Sequence, residues 1–571
     1  MNIKLLLSKL LLGASICFLA ACGGGGSNNN DSDAGNDTPA PVVTDSDGDG
    51  VADADDAFPN DASESVDTDG DGVGDNSDNC PDTANESQLD SDVNGAGDAC
   101  DAMPATYAYT NSAFITDSDS VSYTGQTARH MLISGMVDYM NGMTESGKTK
   151  QEYLTDLDFF LNGDGADGAA TGFTLKNGAS DGSDVDNAAT YGAVSTGKNL
   201  DGKIAGGNGE GDGETSRLID GEFFGWSDGL AIGSLPIDLV DLWVDQLATQ
   251  ATDGVSVTIS TVDGDVNVSS VQFDAHGRNQ RQLIQKFLLG AVTFSQGTND
   301  YFQSDFMTEV TEQEGTKGYS AAEHNFDEAF GYYGAARDNN LYTDLEARAK
   351  SGRDEWKNGY HDSDDNGLID PRSEFNFGNS QNCAKRDVGS ASNSNPTDLS
   401  TEAMDAFLAG RQILSNAANA GSMTAEEAAA LAGHIKTASL AWEKCIAATV
   451  VHYINDVTND MADFSNGSFA DVDNFTNLGK HWSEMKGFAL GLQFSPFSPF
   501  RDEAVTAVDL NDLKTILADF GDAPVLADGS QGGVVAGDPD AAIAAYLSKL
   551  SSARQTLQDA YGFDAENVAG W

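Results

Sequence analysis

The chain reads as mainly α: a large helical domain with a small β-hairpin insertion, preceded by an irregular, acid-rich repeat module. Three observations predict this. Apolar residues recur at helical spacing in segment after segment between Thr124 and Tyr561. One alternating pair, Val255–Ile259 and Val266–Val268, flanks Asp263-Gly264 and reads as a hairpin. Residues 45–101 are crowded with aspartate, and no Lys or Arg occurs between Cys22 and Asp101. The 571 residues carry 91 acids against 30 Lys and Arg, a net charge of -61. Such a surface repels nucleic acid and attracts cations, so no nucleic-acid partner is expected.

The first element is an export signal. Lys4 and Lys9 flank a Leu-rich start, and the apolar run Leu10 to Ala21 is too short for a membrane span. It ends in Leu19-Ala20-Ala21-Cys22, which resembles a bacterial lipobox. That resemblance implies a signal peptide over 1–21 and lipidation of Cys22 by acyl chains such as palmitate. Several such chains hold a protein on a membrane almost permanently. Gly23 rather than Asp after the cysteine implies the outer membrane, on its periplasmic or cell-surface face. Residues 22–44, of Gly, Ser, Asn and Asp, read as a flexible tether. Beyond Cys22 four cysteines remain: Cys80, Cys100, Cys383 and Cys445. In an exported chain they predict two disulfides, and the local pairings are Cys80–Cys100 and Cys383–Cys445.

The repeat module, 45–101, falls into one register. The first repeat has Asp45, Asp47, Asp49, Gly50, Asp53 and Asp56. The second has Asp67, Asp69, Asp71, Gly72, Asp75 and Asp78. The third has Asp90, Asp92, Asn94, Gly95, Asp98 and Asp101. Each set takes positions 1, 3, 5, 6, 9 and 12 of a 12-residue loop. Calcium takes six to eight oxygens at about 2.3–2.6 Å, and alternate residues of a tight loop turn theirs inward around a glycine. A fourth loop, Asp362, Asp364, Asn366, Gly367, Ile369 and Asp370, matches a calcium loop to position 9. Its position 12 is Ser373, with Glu374 one place late. Calcium is therefore the expected cofactor.

Asp78-Asn79-Cys80-Pro81 and Gly97-Asp98-Ala99-Cys100-Asp101 give the module a resemblance to thrombospondin type 3 repeats. That resemblance implies a chain wrapped around calcium ions, with cysteines between repeats. The first repeat has Phe58-Pro59-Asn60-Asp61 in place of its Cys.

From 105 to 571 the pattern is helical, and its length predicts two bundles. The periodicity predicts helices over Thr124–Met143, Arg278–Phe294, Ala321–Ala335, Asn340–Lys357 and Thr401–Ser415. Thr424 and Glu427 form a capping box that opens a helix running to about Val457. Others follow over His481–Leu492, Leu510–Phe520 and Ala541–Tyr561. Residues 162–216, rich in Gly, Asp, Asn and Ser, read as a loop-rich insertion.

Seven histidines make transition-metal candidates few. His324, Asp327 and Glu328 share one helix face, and His481 and Glu484 are spaced i, i+3. Imidazole with carboxylate on facing helices suits iron or zinc, and a polar core network suits the same residues. Gly125-Gln126-Thr127-Ala128-Arg129, Gln285 to Val292, Glu323 to Tyr332, Phe407 to Arg411 and His481-Trp482-Ser483-Glu484 resemble blocks of the domain-of-unknown-function family numbered 4856. That family is similar to imelysins, double helical bundles associated with iron acquisition that bear Gly-x-His-x-x-Glu. His481 and Glu484 match the His-x-x-Glu part.

No His-Glu-x-x-His motif occurs. The leading expectation is a non-enzymatic calcium-binding lipoprotein of the outer membrane. Its helical domain would bind iron or another metal in metal acquisition, with a surface or periplasmic protein as partner. The alternatives are an imelysin-type metallopeptidase, holding zinc with His324, Glu328, His481 and Glu484, and a calcium-dependent adhesive or structural protein.

Overall fold

The computed structural model describes residues 44–111, 113–115, 118–144, 147–162, 194, 197–206, 218–253 and 257–571. The expected signal segment, Cys22, most of the expected 162–216 insertion and Val255 lie outside these. The chain divides into two compact units, Met1–Pro81 and Asp82–Trp571. The first two repeats belong to the first unit and the third to the second.

The described part of the first unit, from residue 44, is built of turns held by aspartate side chains, with no helix or strand. The second unit is mainly helical. A short pair, β1 (Thr110–Asn111) and β2 (Ser118–Asp119), precedes α1 (Thr124–Asn141). Met131, Leu132, Met136, Val137 and Met140 of α1 are buried at the spacing that predicted it. Then come α2 (Lys150–Leu161), α3 (Pro236–Asp253) and the hairpin β3 (Val257–Thr261) and β4 (Gly264–Val268). The hairpin is antiparallel, with Ile259 opposite Val266 across the Asp263-Gly264 turn.

Helix α4 begins at Gln280–Leu288 and passes through a π-helical stretch, Leu289–Phe294, into Ser295–Asn299. The stretch lies where α4 crosses α9 (Val472–Gly491) at closest approach. A Cβ on Gly290 would come 2.6 Å from Gly491 Cα, so backbone meets backbone there. Helix α5 (Ala321–Tyr333) opens with a Ser320/Glu323 capping box and stops at Gly334, whose φ is 78°. Then follow α6 (Gly378–Ser390), α7 (Leu399–Ala420) and α8 (Ala425–Ala462), which starts at the Thr424/Glu427 box. Helices α10 (Leu510–Phe520), α11 (Pro539–Tyr561) and α12 (Ala565–Gly570) complete the unit.

One expected helix is broken. Asn340–Lys357 contains only a 3-10 turn, Asn339–Leu341, and a single helical turn, Asp344–Ala347. Ala349 at φ 60° and Gly352 at φ 126° reverse the chain. The reversal brings the Arg353 backbone N–H and guanidinium within 2.7 Å of Glu346 Oε1. Arg353 holds the Glu346 carboxyl down at about 2.

Size predicts two bundles; most buried apolar side chains from Tyr107 to Trp571 form one cluster, and Ala336, Tyr342, Ala347 and Ala384 form a small second one. Cys383 on α6 and Cys445 on α8 are joined by a disulfide, Cα to Cα 4.8 Å. Cys80 and Cys100 are disulfide-bonded as well. Among the described residues no helix is long and apolar enough to cross a membrane.

Candidate metal centres

The acidic loops share one internal scaffold. In the first, Asp45 accepts the N–H groups of Gly48 (2.7 Å) and Gly50 (3.2 Å). In the second, Asp67 does the same for Gly70 (2.7 Å) and Gly72 (3.1 Å). In the third, Asp90 takes Gly95 N–H at 2.9 Å, and in the fourth Asp362 takes Gly367 N–H at 2.7 Å. Position 6 is glycine at positive φ in all four, at 104°, 95°, 94° and 86°. Position 4 is also left-handed: Gly48 and Gly70 at 83°, Val93 at 57° and Asp365 at 56°.

Carboxylates converge inside three loops. Asp45, Asp47 and Asp49 each place an oxygen within 4.8 Å of the others, as do Asp67, Asp69 and Asp71, and Asp362, Asp364 and Glu374. In the first two, the buried oxygens Asp47 Oδ2 and Asp69 Oδ2 have no hydrogen-bond partner. They hold position 3 in both repeats. The Asp69 carboxyl is raised by its partial burial, then by the charges of Asp71, Asp78 and Asp67, against the lowering bond from Asp71 N–H. Oxygen-only donors, spare lone pairs and mutual repulsion fit calcium.

The position-9 aspartates have a different job. Asp53 accepts both the N–H and the hydroxyl of Ser46, at 2.7 and 2.8 Å. Asp75 clamps Thr68 the same way at 2.8 and 2.6 Å, and Asp98 clamps Ser91 at 2.8 and 2.6 Å. In the fourth loop Glu374 takes over this clamp, accepting Ser363 N–H and hydroxyl at 2.7 Å each. Asp370 instead faces Arg372, 2.6 Å from its guanidinium. Glu374, 2% exposed, is therefore both clamp and converging carboxylate, although it falls one place late in the register. Position 2 is hydroxylated in all four loops, a signal present in the sequence that the ligand pattern does not include.

Position 12 varies. Asp56 accepts Phe58 N–H at 2.8 Å, and Asp78, buried, accepts Cys80 N–H at 2.7 Å. Asp101 accepts the Asn94 amide at 2.8 Å. Asp92 is buried beneath the third loop, where desolvation raises its carboxyl.

The histidine candidates occupy separate networks. His324 Nδ1 lies 3.1 Å from Ser122 O, and its Nε2 is 3.8 Å from Glu328 Oε1. Glu328 also accepts Gln126 Nε2 at 2.8 Å. Asp327 joins a fully buried ion cluster instead. It accepts Arg411 Nε at 2.8 Å, Tyr107 hydroxyl at 2.9 Å and Ser122 N–H at 3.1 Å. The other arm of Arg411 meets Glu323 at 2.7 Å.

His481 pairs with Asp460 at 2.7 Å and approaches Asp456 at 3.9 Å. His452 shares Asp456 at 3.3 Å. Burial alone would lower the His481 pKa, but its bond to Asp460 and the nearby carboxylates raise it above the ordinary value. His452 goes the other way, lowered by burial and then by Arg386. Glu484 faces Lys286 at 3.4 Å and Lys480 at 4.0 Å rather than a histidine. Among the described residues no three of His324, Asp327, Glu328, His481 and Glu484 bring ligand atoms within 4.8 Å of one another.

Fold and loops together define a mainly helical protein with an N-terminal series of acidic, calcium-type loops. Its residues 44–88 match the thrombospondin type 3 repeat, and residues 229–349 match a domain of unknown function, DUF4856. The latter match covers α3, the hairpin, α4 and α5. No curated protein and no solved structure matches the chain.

Proposed function

We propose that this protein is an outer-membrane-anchored calcium-binding lipoprotein, held by acyl chains on Cys22, whose loaded repeats stiffen the segment between anchor and helical domain. The observation that carries the calcium reading is the pair of buried, partnerless oxygens Asp47 Oδ2 and Asp69 Oδ2, each beside two further carboxylates. The match to thrombospondin type 3 repeats supports it. Calorimetric titration of the chelator-treated full chain with calcium tests it. Asp47→Asn with Asp69→Asn should remove two binding events; an unchanged titration would overturn the reading. For the anchor, Cys22→Ser should move the protein from the membrane fraction to the soluble one.

The second reading is that the helical domain also takes iron or zinc, in metal acquisition. The observation favouring it is the group His452, Asp456, Asp460 and His481 on α8 and α9. It mixes imidazole and carboxylate, a donor set suited to those metals. Titration with ferrous iron and with zinc, in wild type and His481→Ala, tests it. Binding that survives the substitution, or no binding at all, would sink the idea.

A further inference from the structure

The third acidic loop differs from the first two in what surrounds it. Asp92 is only 5% exposed, and among the described residues no Lys, Arg or His pairs with it. A carboxylate taken out of water without a cation is costly, so this position calls for a counter-charge. That requirement is independent of the loop's spacing. What covers Asp92 is the helical domain: Asn416 of α7 donates its amide to Asp92 Oδ2 at 2.8 Å. One residue earlier, Ser91 O lies 2.8 Å from His434 Nε2 of α8. A carbonyl only accepts, so His434 carries its proton on that nitrogen. Ser91 is also the residue clamped by Asp98.

From this geometry we infer that Asn416 and His434 are positioning residues for calcium in loop 90–101. Ion binding there and the packing of α7 against α8 then stabilise each other. The inference rests on the calcium reading above. Asn416 takes one Asp92 oxygen and the Asn94 amide shares it at 3.0 Å. Their bonds fix the carboxylate's plane and leave Oδ1, with a long 3.3 Å bond from Asn94 N–H, as the oxygen offered to metal. Val93 adds a second constraint: it is held at φ 57° where the first two repeats have glycine. For a β-branched residue that conformation is costly and must be held by surrounding contacts. Without calcium, Asp90 and Asp92 repel each other at the end of the loop that α7 and α8 hold. With calcium the repulsion is removed and the clasp closes. By reciprocity, whatever the helices add to calcium affinity, calcium returns to the helices.

The experiment uses the full chain with the fourth loop silenced by Asp362→Asn and Asp364→Asn, so that loop cannot supply the effect. Helix melting at 222 nm is followed in calcium and in chelator, and binding is followed by calorimetry. Calcium should raise the helical melting temperature by about 3–6 °C, the shift expected of ligand binding to the folded state. Adding Asn416→Ala and His434→Ala should leave melting in chelator nearly unchanged. It should also remove most of the calcium shift and weaken one calcium site roughly tenfold, the others being unaffected. Asn416→Asp is the second variant: it sets a carboxylate against Asp92, so its melting should fall in chelator and recover in calcium. Retention of the whole shift in the Asn416→Ala/His434→Ala protein overturns the inference, as does binding in the repeats with no shift in the parent. Absence of calcium binding to the repeats is a different result: it overturns the calcium reading itself.

Discussion

The helical core and the first two repeats meet one electrostatic problem with opposite solutions. In the core, Glu323 and Asp327 are fully buried and share a fully buried Arg411, so the counter-charge comes from the chain itself. In the repeats, Asp47 and Asp69 each keep a buried oxygen with no partner, and the sequence supplies no base from Cys22 to Asp101. Balance there must come from outside. The core is thus complete as a polypeptide, whereas the repeats are complete only with a cation.

The comparison breaks most severely if Arg411 is removed. Arg411→Met leaves two buried carboxylates without their cation and should cost about 3–5 kcal/mol, read from urea unfolding of the helices. A smaller loss would mean that the cluster is not sealed from water. Chelation is the counterpart for the repeats. It should make residues 45–101 sensitive to a broad-specificity protease while most helical signal at 222 nm persists. Equal protection with and without chelator would count against a metal-dependent module.

A third solution appears at Glu443 on α8, fully buried, with Tyr561 donating to it at 2.8 Å. No base forms an ion pair with it among the described residues, and burial lifts it to about 7 from 4.5. Its folded pKa is raised, so the proton stabilises the fold fully below about pH 4.5, and that contribution is lost as pH rises through 7. Glu443→Gln should therefore flatten the pH dependence of the urea midpoint between pH 5 and 8, with its largest relative gain at the alkaline end. A parallel slope in both proteins would refute the assignment. The smallest effect is expected at the clamps. Ser46→Ala and Thr68→Ala each remove one hydroxyl bond, about 1 kcal/mol, and should weaken calcium binding only a few-fold in calorimetry.

Legibility in the sequence followed the same division. The loop register is explicit because metal coordination demands fixed spacing, and helices with an apolar face, such as α1 and α8, declare themselves by periodicity. Helix α6 does not: its face is Asn379, Ser380, Arg386 and Asp387, buried through polar contacts that no hydrophobic count detects. Asp387, for example, accepts the N–H groups of Leu399 and Ser400 at the start of α7. Helix α3 has Pro236 at its first position, a start signal that is easily taken for a break. The broken 340–357 segment misleads because Arg353 returns to Glu346, a contact set by a left-handed Ala349 and Gly352 rather than by local preference. Among candidate ligands, spacing identified the converging aspartates. It did not distinguish them from the position-9 clamps, because both are the same residue type in the same loop.

The absence of bases from the repeats has a consequence outside electrostatics. An endopeptidase that cuts after lysine or arginine finds no cleavable bond between Cys22 and Asp101. Shedding of the helical domain by cleavage within this stretch would therefore require an enzyme of another specificity, even after the ions are stripped away.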